Sequence, residues 1–316
     1  MGEPSLMQHR NELKSRAKEI SLGQDIGDVV VKANGASVHI RADGSVQKDL
    51  DGGQTPGLRP DRLATSHDCP LLEFDPSRES VIEPSRIIPS IDMPLHCVIC
   101  FFQDVIAELR ETSGAREISV RSSELGSHPI YEINFENNRL AVFHPGVGAA
   151  LGVALLEEVI ALGCRKFIAC GGAGVLDRGL PVGHIMVPTS AIRDEGCSYH
   201  YLPPAREAHP SPLALAAIEQ TLKAAGHHYT TGKTWTTDAY YRETRAKVEA
   251  RKTEGCMTVD MEASAFFAAA EFRGVEFAQL LYSGDDLSGE WDPREWTRHS
   301  VRKQLFELAA RACLSL

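Results

Sequence analysis

Thr258-Val259-Asp260-Met261-Glu262-Ala263-Ser264-Ala265-Phe266-Phe267 and, one apolar strand later, Tyr282-Ser283-Gly284-Asp285-Asp286-Leu287 are the stretches on which the fold turns. Between them Ala265 to Phe272 is rich in Ala and Phe and runs into Arg273-Gly274, which predicts a buried helix with a glycine stop. Val275 to Tyr282 predicts an apolar strand. A strand end, a core helix and a second strand therefore deliver two acids, Glu262 and Asp285, to neighbouring positions at one edge of a sheet. Open α/β sheets bind ligands at their strand ends, so paired acids there are candidates for gripping a polyol and donating a proton.

Upstream, Leu140 to Phe143, the loop His144-Pro145-Gly146-Val147-Gly148 and Ala149 to Leu162 read as strand, glycine loop and helix. Gly163 stops that helix and Phe167-Ile168-Ala169-Cys170 opens the next strand, a βαβ unit and hence a parallel sheet. The run from Gly146 to Gly152 superficially matches a dinucleotide fingerprint. That reading needs an acid closing the following strand, and this strand ends instead in Cys170-Gly171-Gly172-Ala173-Gly174, a second glycine loop with no helix after it. Gly146 and Gly148 are expected to face the ligand, because backbone N–H groups at a helix start attract anions. Gly152 has two open readings, helix–sheet packing and phosphate cradling. His96 to Phe102 and Thr230 to Thr234 read as further strands, Gln103 to Glu111 and Pro212 to Ala225 as helices, and Glu117 to Arg121 with Ile130 to Phe135 as a hairpin-like pair.

A chain of 316 residues with 43% hydrophobic content can bury one large core beside an extension, and no run reaches the length of a membrane span. A net charge of -10 argues against nucleic acid or an anionic membrane as partner and favours small ligands. With no signal-like start, a cytoplasmic protein is expected. The eight cysteines sit mostly in apolar runs and read as reduced core thiols. Cys97-Val98-Ile99-Cys100 has zinc-knuckle spacing, but strand residues three apart face opposite sides, so no metal is expected. Residues 1–68 read as an N-terminal extension: an amphipathic helix over Leu6 to Ile20, a hairpin within Asp28 to Gln47, and a Gly-, Pro- and Asp-rich linker over Asp49 to Arg62. Residues 69–316 form the main domain.

In their order, these motifs resemble the nucleoside phosphorylase and nucleosidase superfamily, the group containing purine nucleoside phosphorylase, uridine phosphorylase and methylthioadenosine nucleosidase. The likeness spans roughly residues 95 to 290. It is carried by Met261-Glu262 opening a helix, by Gly284-Asp285 one strand on, by Arg193 to Tyr201 and by Trp235 to Glu243. It implies a three-layer α/β/α domain with a central mixed, twisted sheet. It also implies that Glu262 accepts hydrogen bonds from the ribose 2′ and 3′ hydroxyls over Met261, and that Asp285 protonates the purine N7, its pKa raised by Asp286. Tyr240 would stack on the base, with Tyr241 and Arg242 at its polar edge, and Arg193, Gly171 and Gly172 would line the substrate pocket.

Gly146 and Gly148 would serve the phosphate. Departures concentrate there: Cys100 to Asp104 replaces a Gly-Asp-Pro-x-Arg loop, Ala169 and Gly172 stand where the family has Arg and Ser, and His184 replaces a structural Asp. Arg193, or Arg78 or Arg86 from this chain or a neighbouring subunit, would compensate. The resulting expectation is a pentosyltransferase, a purine-favouring nucleoside phosphorylase with phosphate as co-substrate and no cofactor, working as a homo-oligomer. Two alternatives stand beside it: a hydrolytic nucleosidase using water activated near Asp104, and a nucleoside-binding sensor without turnover.

Overall fold

The computed structural model describes residues 69–294 and 299–316, together with the backbone of three N-terminal strands. The helix expected over Leu6 to Ile20, and the linker beyond Leu50, lie outside the described residues. The chain divides into two compact units, Met1–Pro60 and Asp61–Leu316. In the first, β1 (Val29–Ala33), β2 (Ala36–Ile40) and β3 (Val46–Leu50) pair antiparallel in sequence order, so the expected hairpin carries a third strand.

The second unit opens with a short helix, α1 (Pro84–Ile87), then β4 (His96–Cys100), α2 (Gln103–Thr112), β5 (Arg116–Ser123), β6 (Gly126–Phe135), β7 (Asn138–Phe143), α3 (Ala149–Leu162) and β8 (Lys166–Val175). It continues with β9 (Ile185–Asp194), β10 (Glu207–Ala208), α4 (Pro212–Ala224), β11 (Tyr229–Thr237), α5 (Arg245–Thr253), β12 (Cys256–Asp260), α6 (Ala263–Arg273), β13 (Glu276–Asp286) and α7 (His299–Leu314). Boundaries follow local chemistry. Ser211 caps α4, its side chain accepting from the Ala214 N–H behind Pro212, and Gly274 ends α6 in the left-handed region that a side chain at Cβ disfavours. Along β8 the side chains alternate: Phe167 and Ala169 join one core, Ile168 and Cys170 the other.

The two cores are the two faces of one sheet. Helices α3 and α6 cover one face, where the Phe266 and Phe277 rings lie 5.2 Å apart, and α2, α4 and α7 cover the other with Ile106, Ile218 and Phe306. The expected three layers and mixed sheet are present. Strands run in the order β10-β9-β11-β12-β8-β4-β7-β6-β5, with β13 pairing both β8 and β9. Those pairings close a ring, β8-β12-β11-β9-β13 and back to β8, parallel except where β12 meets β8 and β13 meets β9. Nothing in the sequence pattern specifies this ring.

Nor is the second glycine run a loop. Gly171 to Gly174 continue β8, and at Gly174 the neighbours stand too close for a side chain: a Cβ there would lie 2.5 Å from Leu287 Cδ1 and 3.0 Å from Val259 Cγ1. Cys97 and Cys100 are buried on opposite faces of β4, beside Cys313 and Cys170 respectively. Among the described residues no helix is long and apolar enough to cross a membrane.

Candidate active site

Glu262 owes its position to its neighbour. Asp260 ends β12 and caps α6: its Oδ1 accepts the Glu262 and Ala263 N–H groups, each at 2.9 Å, and the Thr236 hydroxyl at 3.0 Å, while Oδ2 accepts the Thr234 hydroxyl at 2.7 Å. Glu262 stands at the N-cap position but makes no side-chain cap bond; with the first N–H groups satisfied by Asp260, its side chain serves the sheet edge instead. There Glu262 Oε1 accepts the Gly148 N–H at 2.5 Å, and the residue is 6% exposed. Burial pushes its carboxyl up to about 8, opposed by the Gly148 N–H and assisted by the Asp260 carboxylate.

The glycine loop before α3 is built for this contact. Gly148 has φ +97, where an L side chain is strained, and Gly146 at φ +78 has no room for one beside Leu151. The Gly146 N–H donates to His144 Nδ1 at 3.0 Å while Nε2 sits 3.2 Å from the Phe101 carbonyl, which fixes a neutral imidazole with its proton on Nε2. Gly152 is a packing glycine, because a Cβ there would lie 2.9 Å from Phe266 Cζ.

A cleft of about 750 Å³ opens beside Glu262. Its floor is Gly171, Gly172, Ala173 and Gly174 of β8, flanked by Phe101, Phe102 and Gln279. Register orders the rest. Gln279 of β13 lies level with Ala169 of β8, whereas Asp285 lies beside Gly174, its Oδ1 3.4 Å from where a Cβ would be. β12 runs antiparallel to β8 with Val259 opposite Gly174, so the chain through Met261 to Glu262 heads back along β8 toward Gly171. Glu262 thus sits between the Asp285 end and the Gln279 end.

At the Asp285 end, Asp285 Oδ2 accepts the Trp291 indole N–H at 2.8 Å. Tyr240 and Tyr241, half to mostly exposed with ring centroids 4.2 Å apart, form the rim. Glu243 completes this end; burial, and then the Asp285 charge, push its carboxyl up to about 7. Toward α7, Arg302 lines the cleft, its guanidinium 5.5 Å from the Phe102 ring centroid and donating to Asp104 Oδ1 at 3.2 Å.

The family model described as the phosphorylase superfamily matches residues 96–315. The chain belongs to the phosphorylase superfamily. Among curated relatives, it is 26% identical over 172 residues to a guanosine phosphorylase of Halorubrum lacusprofundi, covering 54% of this chain and 69% of that one. It is 28% identical over 102 residues to a uridine phosphorylase of Haemophilus influenzae, covering 32% and 40%. Two solved structures share the fold: purine nucleoside phosphorylase from Toxoplasma gondii (TM-score 0.63, 18% identity, 75% of this chain and 97% of that one) and AMP nucleosidase from Bacteroides thetaiotaomicron (TM-score 0.57, 22% identity, 70% and 87%).

Within this phosphorylase-superfamily domain, Glu262, Met261, Asp285, Tyr240, Tyr241, Gly171 and Gly172 all line one cleft, and Gly148 holds Glu262. The other expected residues stand apart. Arg193 is buried and outside the cleft lining, its guanidinium donating to the Ser198 hydroxyl at 2.8 Å and to the Pro203 and Leu202 carbonyls, so it is held within its own segment rather than at the cleft. Arg242 is exposed and outside the lining. Asp104 stands behind Arg302 rather than at the wall.

Arg78 turns to the Phe272 carbonyl and ring, and Arg86 pairs with Glu79 at 3.0 Å, so neither lines the cleft of its own chain. Asp286 does not press on Asp285 from within the cleft. It accepts the Ser288 N–H at 2.7 Å and the Arg178 guanidinium at 3.4 Å; burial works against its ionised form, but these bonds and Arg294 hold its carboxyl below the usual range. The raised acid beside Asp285 is Glu243.

Glu243, Trp291, Gln279 and Arg302 escaped the sequence reading. Arg302 had a signal, since Val301, Leu305, Leu308, Ala309 and Ala312 recur at helical spacing toward the core. Glu243 lay inside the quoted aromatic segment, but only its burial against Asp285 marks it.

Proposed function

We propose that this superfamily member is a nucleoside phosphorylase, a pentosyltransferase that cleaves the N-ribosidic bond of purine nucleosides with phosphate as nucleophile. The observation that carries the reading is the convergence of three carboxyl groups on one cleft: Glu262, fixed by the Gly148 N–H, midway, and Asp285 with Glu243 at one end. Cleavage builds positive charge on the sugar and negative charge on the departing base. Glu262 hydrogen-bonds the ribose hydroxyls, as donor and acceptor while it keeps its proton. The Asp285–Glu243 pair meets the imidazole side of the purine, and Glu243, at about 7, supplies the proton near neutral pH. Tyr240 and Tyr241 offer ring faces to the base. Arg302 brings a guanidinium to the end that lacks the family's phosphate loop, and guanidinium groups suit phosphate geometry.

A carboxyl pair at the base end supports a purine over a pyrimidine. The protein is read as a homo-oligomer working in the cytoplasm with no cofactor; exposed Val81, Ile82 and Ile87 beside α1 supply apolar surface for self-association. Hydrolysis is the second reading, favoured by the Arg302–Asp104 ion pair, which partly neutralises the cleft's guanidinium.

The deciding experiment incubates the protein with adenosine, inosine, guanosine and uridine, each with and without phosphate. Purine release that requires phosphate is the expected result. Release without phosphate establishes a nucleosidase, and binding without release establishes a sensor.

A further inference from the structure

Gln279 is an anomaly in its surroundings. It lies on β13 between Phe277 and Leu281 on the same strand face, both fully buried, and is itself 1% exposed. Its carbonyl oxygen has no hydrogen-bond partner. A leucine there would fill the space without loss, whereas a buried carboxamide oxygen left unmatched is costly. Such a group persists where something outside the chain completes it. Opposite Gln279 in the register is Ala169, whose side chain is too small to cover it, and Gln279 lines the cleft with Phe101 and Gly171.

Its place along the cleft selects the ligand. Displacement at the anomeric carbon brings the nucleophile to the sugar face opposite the departing base. With the base toward Asp285 and the sugar at Glu262, that approach comes from the Gln279 end. We infer that the Gln279 carboxamide directly contacts the attacking oxygen nucleophile, phosphate or water, and orients it toward the sugar. This inference rests on the bond-cleaving function proposed above. A carboxamide suits the task chemically, because it presents an N–H₂ donor to an anionic oxygen or a carbonyl acceptor to a protonated one, according to how it is turned.

The test compares wild type with Gln279→Leu and with Gln279→Met, the unbranched variant covering any failure of the first to fold. Steady-state kinetics are taken with nucleoside and phosphate varied separately, and thermal melts with and without inorganic phosphate. If wild type is phosphate-dependent, the expected result is a phosphate KM raised about tenfold or more with nucleoside KM within about twofold, and loss of the stabilisation by phosphate. If wild type cleaves without phosphate, the phosphorolytic reading falls, and the expected result for Gln279 is a kcat lowered about tenfold at saturating nucleoside. Unchanged kinetics with a raised melting temperature would reduce Gln279 to a buried mismatch and overturn the inference. A raised nucleoside KM alone would also overturn it, assigning the contact to the sugar or base. A wild type that turns over no nucleoside overturns both.

Discussion

Glu262 keeps its proton until the solution turns mildly alkaline, because burial lifts its carboxyl from an ordinary value near 4.5 up to about 8. Across that window the unfolded chain has lost the proton and the folded chain retains it, so this residue's contribution to stability falls as pH rises from about 4.5 and levels off above about 8. Gln keeps the acceptor for the Gly148 N–H and cannot ionise. The stability of Glu262→Gln relative to wild type should therefore climb between about pH 5 and pH 9, by an amount on the order of a few kcal/mol. Urea melts at several pH values measure it, and a pH-independent difference would show that the carboxyl is not held high. Glu262 and Asp285 were legible in the sequence because each sits where a strand end and a helix or turn must meet. Glu243 was not, since its character comes from burial and from Asp285, which lies far along the chain.

The helix α6 begins where it does because Asp260 satisfies its first N–H groups, and the same side chain ties β12 to Thr234 and Thr236 of β11. Ser264 in the first turn extends the network, its hydroxyl donating to Glu195 and its N–H to the Thr236 hydroxyl. Asp260→Ala strands two buried N–H groups and two hydroxyls, and should cost about 2–4 kcal/mol of stability. It should also lower turnover strongly by freeing Glu262 from its register. A denaturation midpoint unchanged within error would refute the capping role. Helix ends marked by glycine, Gly163 and Gly274, were readable from sequence, as was the strand–loop–helix order around Gly148. The aspartate cap was hidden because Asp260 reads equally well as the last residue of its strand, and the helix carrying Arg302 passed unassigned beyond the last quoted motif.

A parallel sheet could be read from the βαβ pattern and the three layers from the resemblance, but the closure of β8, β12, β11, β9 and β13 into a ring could not, since it depends on pairings between strands distant in sequence. Glycine is what permits it. Gly172 faces the Tyr282 ring at 3.2 Å from where a Cβ would stand, and Gly174 is tighter still against Leu287 and Val259. Gly174→Ala should wedge the ring open, costing about 1–3 kcal/mol and displacing Leu287 and Val259, both of which line the cleft. Thermal melts together with nucleoside KM check this; a variant equal to wild type in both would mean the ring tolerates the added methyl.

Glu262 and Gln279 hang on a helix start and a strand interior, whereas Tyr240, Tyr241, Glu243 and Trp291 stand on connecting segments at the rim. Connections accept exchange of side chains more readily than packed strands do. Under the function proposed above, preference for one nucleobase over another is therefore the property most open to evolutionary change: a few substitutions at the rim would retune it while the strand-borne groups beneath stay in place.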